Sequence, residues 1–254
     1  MLRFFTVLFA GISFGLISIL AIISIVVAIA SPKLPEVSAL INYQPKIPLR
    51  VMTADGIQIG EFGKERRRAI KYEQVPRILI DAILAAEDDR FFQHQGIDLN
   101  GILRSVVNNL IKRSKAQGGS TITMQVARNF YLSSEKTFTR KIYEVLLALD
   151  IERKLSKKQI LELYINKIYL GKRSYGFASA SQVYFGKPIS KINIAEAALL
   201  AGLPKAPSKF NPFSNYKRAI IRQRYVLKRM YKLKKISLNQ YQQQFNLKLK
   251  LNSG

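Results

Sequence analysis

The sequence contains no cysteine and a single histidine, His94, among its 254 residues. Without cysteine the chain has no disulfide, no thiolate nucleophile and no thiolate metal ligand. One histidine also excludes a metal site built from several imidazole ligands. Any bound metal therefore depends on oxygen ligands, which favours Mg²⁺, Mn²⁺ or Ca²⁺.

Acidic residues are scarce. The chain has 16 aspartates and glutamates against 41 lysines and arginines, which gives a formal net charge of +25. An excess of this size attracts polyanions, and nucleic acid and an anionic lipid surface are the two candidates. Charge alone does not choose between them.

Charged residues are also missing from residues 4–32, and residues 4–30 are almost wholly apolar. A bilayer-spanning helix needs about 20 apolar residues, so the sequence predicts a transmembrane signal anchor over residues 4–30. The competing interpretation is a cleaved signal peptide, whose apolar core is usually only about 7–15 residues long. An anchor would place the basic domain beside lipid headgroups, which favours an anionic membrane surface over nucleic acid.

Beyond the predicted anchor the chain divides into three segments. Residues 31–46 contain three prolines and are predicted to be a juxtamembrane linker. Residues 47–235 are predicted to form the main domain. Residues 236–254 are rich in glutamine, asparagine and lysine, which predicts a linker or C-terminal tail.

The main domain is predicted to be mainly helical, with one small β-hairpin. Apolar and polar residues alternate around Asp55-Gly56, a pair typical of two-residue hairpin turns. Helices are predicted after residues that can cap them, where apolar residues recur at a spacing of about 3.6. The predicted helices are 76–89, one capped by Asp98, one capped by Ser120, 139–153, one opened by Ser156-x-x-Gln159, one capped by Asn193, and 216–234.

Three consecutive acids, Glu87, Asp88 and Asp89, end the first of these helices, and two phenylalanines and His94 follow. Acids beside apolar and aromatic residues are costly to bury unless something pairs or uses them. Crowded like charges and apolar surroundings both raise a carboxyl pKa, which can make a glutamate a general base near neutral pH. The alternatives are a solvated carboxylate for Glu87 and a structural hydrogen-bonding residue for His94.

A second polar group follows two glycines in QGGSTITMQVARN, residues 117–129. A glycine-rich loop before a helix offers unpaired backbone N–H groups to an anion, although the pattern is not a Walker loop. Further on, Arg140 and Glu144 lie four residues apart on one helical face, with Lys141 beside them. Each feature alone is also compatible with an ordinary loop, cap or surface ion pair.

Five blocks occur in order: EDDRFFQHQG, GGSTITMQVARN, RKIYE, ILELYINKIYLG and LAGLPKAPSKFNP. Together they resemble the glycosyltransferase domain of peptidoglycan polymerases, the family shared by class A penicillin-binding proteins and monofunctional transglycosylases. The resemblance runs from about Val51 to Phe213 and is greatest to the penicillin-binding protein 1A branch. Met124, Arg128 and Ile165 depart from the usual family residues without removing a functional group that the chemistry needs.

The resemblance implies a lysozyme-like helical domain of two lobes with a cleft between them, preceded by one transmembrane helix. It implies polymerisation of lipid II into glycan strands by inverting transfer. In that reaction the 4-hydroxyl of an incoming lipid II attacks the anomeric carbon of the last muramyl sugar of the strand, and polyprenyl pyrophosphate leaves.

The resemblance also implies roles for particular residues. Glu87 matches the position of the base, and Glu144 matches a second essential glutamate, which would position cations or a metal. Since pyrophosphate is a good leaving group, it needs cations more than a general acid. Residues expected to supply those cations or to shape the donor and acceptor subsites are Asp88, Phe91, His94, Ser120, Thr121, Gln125, Arg128, Asn129, Arg140 and Lys141.

By the same resemblance a divalent cation, Mg²⁺ or Mn²⁺, is expected as a loosely bound cofactor, with Glu144 as a candidate ligand. Expected partners are lipid II, the nascent glycan strand, an anionic membrane surface and proteins of cell-wall synthesis, but not nucleic acid. The expected location is a bacterial inner membrane, with a single pass and the catalytic domain on the outer or periplasmic face.

Class A members of the family continue into a penicillin-sensitive transpeptidase with Ser-x-x-Lys, Ser-x-Asn and Lys-Thr-Gly motifs. This sequence has no Lys-Thr-Gly, and Ser133 and Ser214 match Ser-x-x-Lys only by chance. We therefore expect that this chain does not bind penicillin covalently.

Three alternative functions stand beside this prediction. A muramidase or lytic transglycosylase would use two acids across a similar cleft, but it has no pyrophosphate to stabilise. A basic membrane protein that binds nucleic acid or anionic lipid explains the charge but not five ordered polar blocks. An inactive scaffolding member of the same family is the third alternative, although no block has lost its functional groups.

Overall fold

The structure is a computed structural model that describes residues 2–41, 43, 49–55, 58–63, 65–104, 119–133, 135 and 137–252. Over these residues the fold is mainly helical, as predicted, with two short pairs of strands. Most of the helix predicted after Asp98 lies outside the described residues, as does Gly56 of the predicted hairpin turn.

The N-terminal segment forms one helix, α1 (Leu2–Ala30), followed by 3₁₀ turns at Ser31–Lys33 and Val37–Leu40. Both apolar ends of the second turn are buried in the core of the domain. Among the residues with described positions, no helix is long and apolar enough to cross a membrane, so the transmembrane prediction for residues 4–30 is not supported by the structure.

The predicted hairpin is present as two antiparallel strands, β1 (Leu49–Met52) and β2 (Gln58–Phe62). Its register shifts between Val51 and Met52, an irregularity that increases the local twist. A second, parallel pair joins β3 (Arg66–Arg67) to β4 (Ser174–Tyr175). Strands of two residues leave no periodic pattern in the sequence, and this pair was not predicted.

Two groups of helices build the domain. The helices are α2 (Arg77–Glu87), α3 (Ile122–Tyr131), α4 (Phe138–Lys154), α5 (Lys157–Lys167), α6 (Phe177–Phe185), α7 (Ile194–Gly202), α8 (Tyr216–Lys232) and α9 (Leu238–Asn246), and residues 99–104 are also helical. Helix α2 packs against α7 and α8, whereas α3 packs against α4 and α5. Helices α2 to α8 each bury apolar side chains, and full burial of one Leu or Ile side chain stabilises the fold by about 1.5–3 kcal/mol.

Side-chain caps fix where several of these helices begin. Asp98 caps the helical stretch 99–104, and the capping box opened by Ser156 and the cap at Asn193 form as predicted. The prediction of Ser120 as the cap of α3 was wrong. Thr121 has the extended backbone of the cap position, and its hydroxyl accepts a hydrogen bond from the N–H of Met124 at 3.2 Å.

The segment predicted to be a linker or tail, residues 236–254, is folded against the domain over its described residues. The ring of Tyr241 on α9 stacks on Tyr231 of α8 at 5.3 Å. Leu249 is buried in the core, and the N–H of Asn252 donates to the carbonyl of Tyr184 at 2.8 Å. These contacts make the segment part of the folded domain.

Candidate active site

A cleft of about 250 Å³ lies where the end of α2 meets the start of α3 and the side of α8. It brings together six of the residues predicted for the site: Glu87, Asp88, Ser120, Thr121, Gln125 and Arg128. The other predicted residues do not line it, and these are Phe91, His94, Asn129, Arg140, Lys141 and Glu144. The two groups therefore have different surroundings.

Glu87 is the last residue of α2, and its side chain is 13% exposed. The amide Nε2 of Gln125 donates to Glu87 Oε2 at 2.9 Å. A guanidinium nitrogen of Arg222 lies 3.7 Å from the other carboxylate oxygen, Oε1. An amide and a cation thus hold the carboxylate in place at the wall of the cleft.

Burial raises the pKa of Glu87 above its ordinary value of 4.5, and burial is the largest influence on it. The hydrogen bond from Gln125 and the charges of Arg222, Lys205 and Arg128 lower the pKa, but they do not cancel the cost of burial. A carboxylate with a raised pKa is a stronger base, which suits it to accept a proton from a hydroxyl group.

Asp88 and His94 form a buried pair next to Glu87. The Nε2 atom of His94 lies 3.0 Å from both carboxylate oxygens of Asp88, and the two side chains are 5% and 3% exposed. The N–H of Ile122 donates to Asp88 Oδ2 at 2.9 Å. Asp88 therefore ties the end of α2 to the start of α3, which fixes the position of Glu87.

Phe91 lies in the core beneath the same loop, 1% exposed, with the ammonium of Lys157 at 4.4 Å from its ring centre. The loop is closed by Gly96, whose carbonyl accepts a hydrogen bond from the hydroxyl of Thr121 at 2.6 Å. Gly96 has φ +87°, and an added Cβ would lie 2.9 Å from the carbonyl oxygen of Ala148. Phe91 thus supports the loop instead of lining the cleft.

Glu144 is completely buried, at 0% exposure, and three cations surround it. The guanidinium of Arg140 donates to Oε1, and the ammonium of Lys141 donates to Oε2 at 2.9 Å. Lys141 also donates to the hydroxyl of Ser120 at 2.7 Å. Since both carboxylate oxygens are engaged, Glu144 is placed to hold cations in position.

Arg128 connects the two glutamates. Its guanidinium lies 3.7 Å from Glu144 Oε1, and its side chain also lines the cleft that contains Glu87. The charge of Arg128 is one of those that lower the pKa of Glu87. The buried Glu144 cluster therefore acts on the cleft through Arg128.

Within the part of the chain that the structure describes, the side chains do not form a site for a resident divalent cation. Among the described residues, no group of three or more histidine, aspartate and glutamate side chains is arranged to hold a metal ion. Glu144, the candidate ligand, has both oxygens occupied by cations. Asp89, which also lines the cleft, forms ion pairs with Arg104 and Arg229 at 3.0 Å each.

Asn129, which was predicted to shape a subsite, lies half-buried on α3. Its amide nitrogen Nδ2 is buried without a hydrogen-bond partner among the described residues. Asn129 does not line the cleft around Glu87.

Sequence reasoning missed the cations that reach Glu87 from the other side of the cleft. Arg222 is held by the carbonyl of Gly202 at 3.3 Å and lies 4.6 Å from the ring centre of Tyr225. Burial and, secondly, the charge of Arg222 lower the pKa of Lys205. The only available signal was that Lys205 belongs to the block LAGLPKAPSKFNP, whereas Arg222 is one basic residue among many in its helix.

The cleft thus combines the buried carboxylate of Glu87, a candidate base, with several cations. Such a site can accept a proton from a hydroxyl nucleophile while it stabilises negative charge on a phosphate leaving group. This is the chemistry of group transfer from an anionic, activated donor to an alcohol.

Comparison with known proteins agrees with the resemblance read from the sequence. The family model described as Transglycosylase matches residues 55–231, and this chain belongs to the transglycosylase family. The chain is 52% identical to penicillin-binding protein 1A of Neisseria lactamica over 240 residues, which are 94% of this chain and 30% of that protein. It is 51% identical to penicillin-binding protein 1A of Pseudomonas aeruginosa over 212 residues, 84% of this chain and 26% of that protein.

A crystal structure of penicillin-binding protein 1A from Haemophilus influenzae is also similar, with a TM-score of 0.49 and 31% sequence identity. The match covers 83% of this chain and 22% of that chain. The chain therefore spans less than a third of the length of these relatives.

Proposed function

We propose that this chain is a peptidoglycan glycosyltransferase that polymerises lipid II into glycan strands and releases polyprenyl pyrophosphate. The observation that carries the proposal is Glu87, a buried carboxylate with a raised pKa in a cleft that also contains Arg128, Lys205 and Arg222. The transglycosylase family and the 1A relatives support the same reaction.

In the proposed step, the 4-hydroxyl of an incoming lipid II attacks the anomeric carbon of the last muramyl sugar of the strand, with inversion. Glu87 accepts the hydroxyl proton as the new glycosidic bond forms. The bond between the anomeric carbon and the pyrophosphate oxygen breaks, and its electron pair leaves with polyprenyl pyrophosphate.

The cations of the cleft would receive that leaving group. Arg222 is held by Gly202 and Tyr225, so it keeps its position without substrate and loses little entropy when an anion binds. Lys205 lies close enough to Arg222 for the two charges to repel, and a bound pyrophosphate would offset that repulsion. Fixed cations in a partly buried cleft stabilise developing negative charge more than solvated ones do.

Glu144 has a positioning role in this mechanism. It fixes Arg128 at the cleft and keeps Arg140 and Lys141 in one cluster, without touching the reacting atoms. Gln125 orients the base, and Asp88 and His94 fix the end of α2 that carries it.

The membrane location is a further part of the proposal. From the sequence of residues 4–30, we propose a single N-terminal anchor in a bacterial inner membrane, with the catalytic domain on the outer or periplasmic face. The absence of charged residues from 4–32 supports an anchor, and a lipid-linked substrate requires access to the bilayer. Carbonate-resistant membrane association should disappear when residues 2–30 are deleted.

A divalent cation is proposed only as a companion of the substrate, carried by its pyrophosphate oxygens. The described residues offer no cluster that would hold it alone, and the proposed step does not depend on it. Polymerisation measured with and without EDTA tests this part separately.

One observation also favours a lytic enzyme, because a glutamate with a raised pKa can serve as the general acid of a lysozyme-type reaction. The cations around Glu87 favour the transferase, since a sugar leaving group carries no phosphate. Purified protein in detergent should convert labelled lipid II into polymer and leave preformed, lipid-free glycan uncut. Cutting of that glycan without polymer formation would reject the transferase in favour of the lytic enzyme.

A further inference from the structure

Helix α8 carries a row of exposed cations on the side that faces solvent. Five positions of this helix share one face because they recur three or four residues apart: 217, 221, 224, 228 and 232. All of them except Ile221 are cations. Ile221 and Tyr225 are exposed between the cations, at 60% and 41%. We call this surface the α8 outer face, and it consists of Lys217, Ile221, Arg224, Tyr225, Lys228 and Lys232.

Among the described residues, no carboxylate pairs with the lysines of this face. Neither α8 nor α9 contains an acidic residue. The inner cations of α8 have carboxylate partners, because Arg222 approaches Glu87 and Arg229 pairs with Asp89. Lys217, Lys228 and Lys232 form no ion pair with a carboxylate among the residues that the structure describes, so the face attracts an external anion.

The α8 outer face is continuous with the cleft. Three residues of the same helix, Arg222, Tyr225 and Arg229, line the cleft around Glu87. Tyr225 belongs to both surfaces, since it lines the cleft and is also exposed. A polymer that leaves the cleft on this side would therefore run along the helix.

We propose that the α8 outer face binds the growing glycan strand through the carboxylates of its peptides. This inference rests on the proposed function, which makes the product a peptidoglycan strand. Such strands carry short peptides with free carboxylates on alternate sugars, so negative charge repeats along the polymer. A row of cations is complementary in charge to a repeating polyanion, and an exposed tyrosine ring can pack against a sugar ring.

A membrane surface fits this face less well. A helix that lies in the lipid interface buries a continuous apolar side among the acyl chains. The apolar side of α8 is already used inside the domain, where Val226, Leu227 and Met230 are 0% exposed. The residues of the α8 outer face are mainly cationic.

Two triple variants of the full chain distinguish binding by the α8 outer face from a general effect of the positive charge of the protein. K217Q/K228Q/K232Q removes three cations of the α8 outer face, and R153Q/K158Q/K191Q removes three exposed cations from other elements. Glutamine keeps a good helix propensity, and both variants lose the same charge. The probes are labelled, lipid-free glycan strands with free peptide carboxylates and the same strands with those carboxylates amidated.

We expect K217Q/K228Q/K232Q to bind the carboxylate strands about threefold or more weakly than the wild type at low salt. R153Q/K158Q/K191Q should bind them like the wild type, and amidation should weaken binding to the wild type by a similar factor. Equal binding by both triple variants, or undiminished binding of amidated strands, would overturn the proposal. Loss of binding to phosphatidylglycerol vesicles alone would also overturn it and assign the face to lipid.

A polymerisation assay tests the proposal independently of the binding assay. The initial rate on lipid II should be unchanged in K217Q/K228Q/K232Q, because none of these residues lines the cleft, while the product strands become shorter. Unchanged strand lengths would count against the proposal. If the wild type bound carboxylate strands but made no polymer at all, the proposed function would fail while the binding surface stood.

Discussion

At the scale of single residues, Glu87 shows burial and nearby charge acting in opposite directions on one carboxylate. Three cations and an amide favour its ionised form, yet removal from water outweighs them and raises its pKa. The same balance that makes Glu87 a better base also makes its charge costly to the fold. Function and stability are therefore opposed at this position.

A pH-dependent stability difference follows from this opposition. An acid whose pKa is raised on folding costs stability once pH rises above its ordinary value, here 4.5, and the cost grows through the raised pKa. Glu87→Gln removes that cost, so the Tm of the variant should exceed that of the wild type at pH 7 but not at pH 4. For a chain of this size, a difference of about 1 kcal/mol in unfolding free energy shifts the Tm by about 2–4 °C.

Thermal unfolding of both proteins in the same detergent, from pH 4 to pH 8, measures this difference. The activity of the wild type should rise over the same pH range, because only ionised Glu87 accepts a proton. A Tm difference that does not change with pH would contradict the assignment of a raised pKa to Glu87.

A different prediction applies to Glu144, because three nearby cations balance its negative charge. Glu144→Gln leaves those cations without their central anion, although Arg128 and Lys141 are 32% and 43% exposed and can regain water. We expect a loss of about 2–3 kcal/mol in unfolding free energy and a weaker hold on lipid II, seen as a higher KM.

Denaturant titration and steady-state kinetics check both effects. Asp150→Asn is the matched control, since Asp150 lies on the same helix and pairs with Lys154 at a half-exposed site. It should cost less than about 0.5 kcal/mol. Equal effects of the two substitutions would show that Glu144 has no special role.

At the scale of elements, the site depends on how the end of α2 is joined to the start of α3. Asp88 connects the two helices, because it accepts a hydrogen bond from the N–H of Ile122 and also pairs with His94. The hydroxyl of Thr121 adds a second connection, a hydrogen bond to the carbonyl of Gly96. The catalytic geometry is thus fixed by side-chain hydrogen bonds between elements, and the packing of Phe91 supports the loop from below.

Asp88→Asn tests the connection that Asp88 makes between the end of α2 and the start of α3. An asparagine can still accept from the N–H of Ile122, but its amide N–H group then faces Nε2 of His94. That contact is a hydrogen bond only if the imidazole of His94 changes its tautomer, and the charge of the carboxylate is lost in either case. We expect a loss of about 1–3 kcal/mol and a lower kcat with little change in KM, because Glu87 is displaced while the cations stay in place. A variant with the stability and kcat of the wild type would remove the positioning role.

Sequence patterns predicted elements better than they predicted contacts. Asp98, Ser156 and Asn193 cap helices as expected, because a cap is a local feature of a few residues. The sequence could not choose between Ser120 and Thr121, which both carry a hydroxyl and differ only in backbone conformation. It could not place Phe91 either, since an aromatic residue beside a polar motif suits a core and a subsite equally.

At the scale of the whole molecule, the missed residues are those brought to the site from far along the chain. Arg222 and Lys205 meet Glu87 only because α7 and α8 pack against α2. No local pattern distinguishes Arg222 from the other basic residues of α8. The excess of positive charge predicts attraction to an anion, but only the fold shows which cations face the cleft and which face solvent.

The rate of lipid II polymerisation by Glu87→Gln tests the proposed mechanism most directly, with Glu73→Gln as a control at an exposed glutamate. If Glu87 is the base, Glu87→Gln should lose activity by about 10²–10⁴-fold while staying folded, and Glu73→Gln should match the wild type. A folded Glu87→Gln variant that polymerises lipid II within a few-fold of the wild-type rate would show that Glu87 is not the base.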